Sequence, residues 1–112
     1  MSDIVFNNEI KIFIDSILLK IPGVVAGKMF GFPAYFINKK LFACIYENGI
    51  GVKIPANMAS ELIGKDGIIH FQPLGKSKMK EWIQISRDNP DEYIRDMEIF
   101  LESVKFVSHL TK

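Results

Sequence analysis

The 112-residue sequence is poor in metal-binding and nucleophilic residues: one cysteine, Cys44, and two histidines, His70 and His109. A lone cysteine closes no internal disulfide, and three scattered side chains make no ligand cluster for a metal. Arginine is also scarce. Only Arg87 and Arg95 stand among 14 basic residues, so lysine supplies the other 12 (14 − 2). Neither sign of charge is in excess, because 14 basic against 13 acidic residues leave +1. That balance excludes a charge-driven disordered tail and a strongly basic nucleic-acid clamp. Apolar runs such as Leu41 to Tyr46 are far shorter than the roughly 20 residues that span a bilayer. The first residues, MSDIVFNNEIK, are acidic and polar where a secretory signal is basic and then apolar. The expectation is a cytoplasmic protein with no membrane partner. Against these absences, 48% apolar and 12% aromatic residues are enough to fill the core of one domain spanning 1–112.

Phe6, Ile10, Phe13, Ile14, Ile17, Leu18 and Ile21 recur at spacings of three and four, which predicts an amphipathic helix ended by Pro22-Gly23. Short aromatic and β-branched runs near 24–30, 34–38, 41–46 and 50–54 predict four strands. Their connections are too short for parallel crossovers, so the strands form an antiparallel meander, with Asn48-Gly49 as its strongest turn signal. Pro55 to Ile63 reads as a short helix. Ile68 to Gln72 and Glu81 to Ile85 read as two further strands joined by a polar loop, Pro73 to Lys80. Asn89-Pro90-Asp91-Glu92 predicts a capped helix start, with Tyr93, Ile94, Met97, Phe100, Leu101, Val104 and Val107 on one stripe. The fold class is therefore α+β, an antiparallel sheet of about six strands in the order α-β-β-β-β-α-β-β-α with helices packed on it. Met29, Phe30, Phe36, Phe42, Ile45, Val52, Phe100, Leu101 and Val104 are assigned mainly to the core.

Candidate chemistry is thin, and neither a cofactor nor a catalytic residue is expected. The run from His70 to Ser77 ends like a phosphate-binding loop in Gly75-Lys76-Ser77. It lacks the first glycine, however, and leads into a strand where that motif needs a helix. Cys44 lies in an apolar strand and reads as a small core residue, and His70 reads as a surface or partly buried structural residue. The carboxylates Asp91, Glu92, Asp96, Glu98 and Glu102 read as a solvated helix face. Lys76, Lys78 and Lys80 alternate, so an extended hairpin would point them one way together with Trp82. Ammonium groups beside an aromatic ring suit a phosphate backbone and a stacked base. With Lys28, these residues are the candidate contacts for nucleic acid or another partner. Charge is segregated as well: residues 23–87 hold nine basic and four acidic side chains, and residues 88–112 three and six.

The stretch from Lys28-Met29-Phe30-Gly31 through Phe42-Ala43-Cys44-Ile45, continued by Gly51-Val52-Lys53, the Trp82 strand and the closing helix with Ser103, resembles the TfoX N-terminal domain family. One departure is that Phe32, followed by Pro33, stands where a glycine usually follows Met-Phe-Gly. The resemblance implies helices layered on an antiparallel sheet, like type III secretion chaperones and YjbR-like proteins. It also implies a small non-catalytic protein, linked by family name to regulation of DNA uptake competence. Full-length regulators carry a second domain beyond this one, so a DNA role belonging to that domain is not carried over. The resulting expectation is a regulatory or adaptor module that binds a protein partner and forms a homodimer, since a short six-stranded sheet leaves two edges. The alternative is a nucleic-acid-binding accessory domain using the lysine hairpin.

Overall fold

The computed structural model describes residues 5–75 and 77–110. Helix α1 (Asn8–Leu18) begins where Asn7 Oδ1 accepts hydrogen bonds from the Glu9 and Ile10 amides, and it buries Ile10, Ile14 and Leu18. Strands β1 (Val24–Met29), β2 (Phe32–Ile37), β3 (Lys40–Tyr46) and β4 (Gly49–Lys53) follow, then α2 (Ala56–Leu62), β5 (Ile68–His70) and β6 (Trp82–Ile85). A 3-10 segment, Pro90–Asp96, leads into α3 (Met97–Ser108). The six strands pair antiparallel throughout, in the order β1-β2-β3-β4-β6-β5. The expected element order and α+β class hold. The last hairpin folds back so that β6 lies beside β4, which leaves β1 and the three-residue β5 at the edges.

The turns differ from expectation in two places. Phe30 (φ 51) and Gly31 (φ 87) form a two-residue turn, so β2 starts at Phe32, two residues earlier than its apolar run suggests. The β3–β4 turn centres on Glu47 and Asn48, with Glu47 at φ 52, because Tyr46 pairs with Gly49. Gly49 is therefore a strand residue, chosen for space: a Cβ there would lie 2.9 Å from the Ile85 carbonyl oxygen.

The main core lies between the sheet and the helices. Ile45, Ile50, Val52, Ile83 and Ile85 meet Leu18, Ile14, Tyr93, Phe100 and Val107, all essentially inaccessible to solvent. A bulge in β3 contributes to it. Tyr35 pairs with Ala43 but Phe36 with Leu41, so Phe42 is the extra residue and joins Ala43 on the helix side. The buried Ser103 hydroxyl donates to the Phe42 carbonyl at 3.3 Å.

Two core assignments change, and so does one residue of the last helix's stripe. Phe30 is 63% exposed at its turn, and Leu101 is 48% exposed because Phe100, Ser103 and Val107 carry the buried face of α3. Ile94 is 53% exposed. The 3-10 segment turns each residue by about 120°, so Tyr93 and Asp96, three apart, point inward while Ile94 turns out. Asn89 also makes no side-chain cap; its amide donates instead to Glu92 Oε2 at 3.2 Å.

Candidate functional site

The face of the sheet turned away from the helices carries three cross-strand rows, read from the register. Val25, Phe36 and Leu41 form one row of large side chains, which Lys53 and Trp82 continue on β4 and β6. Gly27, Ala34, Cys44 and Gly51 form a central row of small residues, continued by Gln84 and Ile69. Met29 and Phe32 begin a third row that reaches Tyr46, whose ring lies 4.8 Å from Phe32.

The small row is a furrow into which rings are laid. Phe36 covers Gly27, where a Cβ would lie 2.9 Å from its ring, and Phe71 covers Gly51, where the gap would be 2.7 Å. Phe71 connects the rings of Tyr46 and Trp82, with centroids 5.5 and 5.4 Å away. Thus Phe32, Tyr46, Phe71 and Trp82 make a second, smaller core under the segment between β5 and β6. Cys44 is fully buried in it, and desolvation pushes its thiol up to about 12 despite a backbone hydrogen bond from Gly51. A thiol held neutral is a packing group rather than a nucleophile.

That cover ends toward β1. Val25 is 62% exposed, Gly27 is exposed, and Met29, Phe36 and Leu41 are half-buried. Phe30 beside them holds positive φ, an unusual conformation for a bulky side chain.

The lysine candidates do not gather as one site. Lys76 lies outside the described residues. Lys78 and Lys80 are exposed, but residues 77–80 are irregular rather than an extended strand, so the alternation that aligned them with Trp82 does not apply. Trp82 is half-buried against Phe71 at the start of β6. Lys28 stands on β1, with β2, β3 and β4 between it and β6, and its pairing with Pro33 puts it on the helix-side face. A cleft of about 540 Å³ beside Trp82 is lined by Lys40, Leu41, Lys53, Glu81, Val107 and Leu110. Its two lysines are already engaged: Lys40 Nζ donates to the Leu110 carbonyl at 2.5 Å and Lys53 Nζ lies 3.6 Å from Glu81.

The sequence reading missed a buried ion pair. Arg87 donates through Nε and Nη2 to both oxygens of Asp96, at 3.0 and 2.6 Å, and through Nη1 to the Asp66 carbonyl at 2.6 Å. Hydrogen bonding to Asp96 raises the Arg87 pKa further against the opposing effect of burial. Asp96 therefore does not belong to the solvated acidic face. Only the 3-10 phase, set three residues after Tyr93, carries a sequence signal for this. His70 is half-buried on β5, as the strand pattern suggested, with Nδ1 enclosed and without a hydrogen-bond partner.

Among the described residues no three His, Cys, Asp or Glu side chains come together as a metal site, and no helix is long and apolar enough to cross a membrane. No family model matches the chain, and no curated protein or solved structure matches it. The likeness to TfoX N-terminal domains rests on the motifs quoted above.

Proposed function

We propose that the protein is a non-catalytic binding module of the cytoplasm, a TfoX N-terminal-like regulatory adaptor that self-associates as a homodimer and engages a protein partner. The observation that supports this reading is the open end of the second sheet face. Val25 and Phe30, 62% and 63% exposed, stand on β1 and its turn near the half-buried Met29, Phe36 and Leu41, so solvent-exposed apolar residues border the β1 edge of the sheet. Apolar residues exposed together in this way mark interaction surfaces. The test is capture from native lysate with and without nuclease, repeated with the double variant Val25→Ser, Phe30→Ser. A protein retained after nuclease and lost with the variant supports the reading. Equal capture by native and variant chains overturns the assigned surface.

A second reading, a nucleic-acid accessory domain, is favoured by the exposure of Lys78 and Lys80 on the segment that leads into Trp82. Three lysines, including Lys76, neutralising a single strand would give a log–log salt slope near −0.7 × 3, or about −2. Changing Lys76, Lys78 and Lys80 to Ser would then abolish binding in fluorescence anisotropy. No binding by the native chain at low salt ends this reading.

A further inference from the structure

β1 is the long exposed edge of the sheet, and its geometry specifies how a second copy fits it. Met29 and Phe32 flank the two-residue turn, and the flanking pair of such a hairpin exchanges both backbone hydrogen bonds. Hydrogen-bonding direction alternates along a strand, so Val25, Gly27 and Met29 bond inward to β2 while Val24, Ala26 and Lys28 turn their N–H and C=O groups outward. The Val24 amide agrees, since it bonds back to Ile21 at 3.1 Å rather than to β2. Ala26 and Lys28 are left with outward donors and acceptors on exposed residues.

We infer that two copies join through antiparallel β1 edges about a two-fold axis at Gly27, forming one continuous twelve-stranded sheet. This deepens the homodimer part of the proposed function and rests on it. Paired residues must share a face, which puts the axis on a residue, and overlap of most of the six-residue strand then leaves Ala26 or Gly27, its two central residues. At Gly27, Ala26 exchanges backbone bonds with Lys28 of the second copy, and Val25 packs on its Met29 in the closer, non-hydrogen-bonded position. Every row on the second face then meets its like. The Val25 row runs into the Met29 row of the other copy, and the small row crosses the axis as Gly27 against Gly27. An axis at Ala26 would set Val25 against Gly27 and would require the Val24 amide, which is already bonded to Ile21. The two Lys28 side chains lie diagonally across the axis, exposed to solvent, where their repulsion is screened.

The interface is one six-residue strand from each copy, Val25 and Met29 included, with Phe30 beside it; so small a contact is expected to associate weakly, in roughly the micromolar range. Sedimentation of the 112-residue chain from about 1 to about 200 µM brackets that range and should show monomer passing to dimer. Ala26→Pro removes an outward N–H and leaves the β1–β2 ladder its bonds, so a chain that unfolds thermally like the native one should stay monomeric throughout. Independently of that variant, Val25→Cys with Met29→Cys should oxidise to a covalent dimer of two 12.8 kDa chains, because non-hydrogen-bonded pairs lie within disulfide reach. Val25→Cys alone should not, since the two copies of residue 25 are four positions apart along the strand. A native dimer that persists in folded Ala26→Pro, or fails to cross-link through the paired cysteines, overturns the edge and its register while self-association stands. A monomer at every concentration overturns both.

Discussion

The helix-covered face of the sheet is closed by long-range packing of aliphatic side chains from α1 and α3, whereas the opposite face is closed by its own aromatic rings. Ile45, Ile50, Val52, Ile83 and Ile85 on the first face interdigitate with helix residues and reach full burial. On the second face, glycines at 27 and 51 make room for Phe36 and Phe71, and the cover thins toward β1. A helix layer gives depth, so large residues vanish inside it. A layer of rings gives only a skin, and a skin leaves an edge at which apolar residues meet solvent. Structural stability therefore rests mainly on the first face, and the interaction surface proposed above lies on the margin of the second.

The largest effects should follow from damage to the first face. Phe100→Ala removes a fully buried ring and should cost about 3–5 kcal/mol in urea unfolding; a loss below about 1 kcal/mol would mean that α3 does not anchor this face. The ion pair at the end of the same layer gives an effect of similar size. Asp96→Ala takes away the buried carboxylate that Arg87 grips and leaves the guanidinium only the exposed Asp66, which should cost about 3–5 kcal/mol, while the double change Arg87→Met, Asp96→Leu should cost less than Asp96→Ala alone. A double variant as unstable as the single one would show that the pair adds net stability beyond its mutual compensation.

Second-face changes should be smaller. Gly51→Ala drives a methyl into the Phe71 ring and should cost about 1–3 kcal/mol, with altered near-ultraviolet circular dichroism from the displaced Trp82 contact. No change in that signal would mean that the rings repack without loss. The smallest effect should be opposite in sign. Phe30→Asn places a residue tolerant of positive φ in the turn and should raise stability by about 0.5–1 kcal/mol, measured at a concentration where the chain is monomeric. Destabilisation would assign Phe30 a packing role on the monomer that its exposure does not indicate.

Much of this contrast was legible in the sequence, for reasons that differ between elements. The spacing of Ile10, Ile14 and Leu18 gave α1 its buried face because a 3.6-residue period survives any tertiary setting. Ile45 and Val52 are recognisable as core from strand alternation and Phe100 from the stripe of α3, whereas Phe42 is buried on the same side as Ile45 only because of the bulge. Phe30 was misread because a two-residue turn falls inside an unbroken apolar run, and Ile94 and Asp96 because a 3-10 segment shifts the period. Of the candidate contacts, the exposure of Lys78 and Lys80 agreed with a polar loop, but their alignment with Trp82 required a strand that is not formed.

The sequence by itself determined the order of elements, the antiparallel sense of the meander and the separation of a basic middle from an acidic end, because these depend on residues within a few positions of one another. Only the tertiary structure decided that β6 lies between β4 and β5, that Phe42 bulges toward α3, that Arg87 reaches Asp96, and that Gly27, Ala34, Cys44 and Gly51 align as one furrow. Those features depend on register between strands, and register is set by which side chains fill the space that distant segments leave.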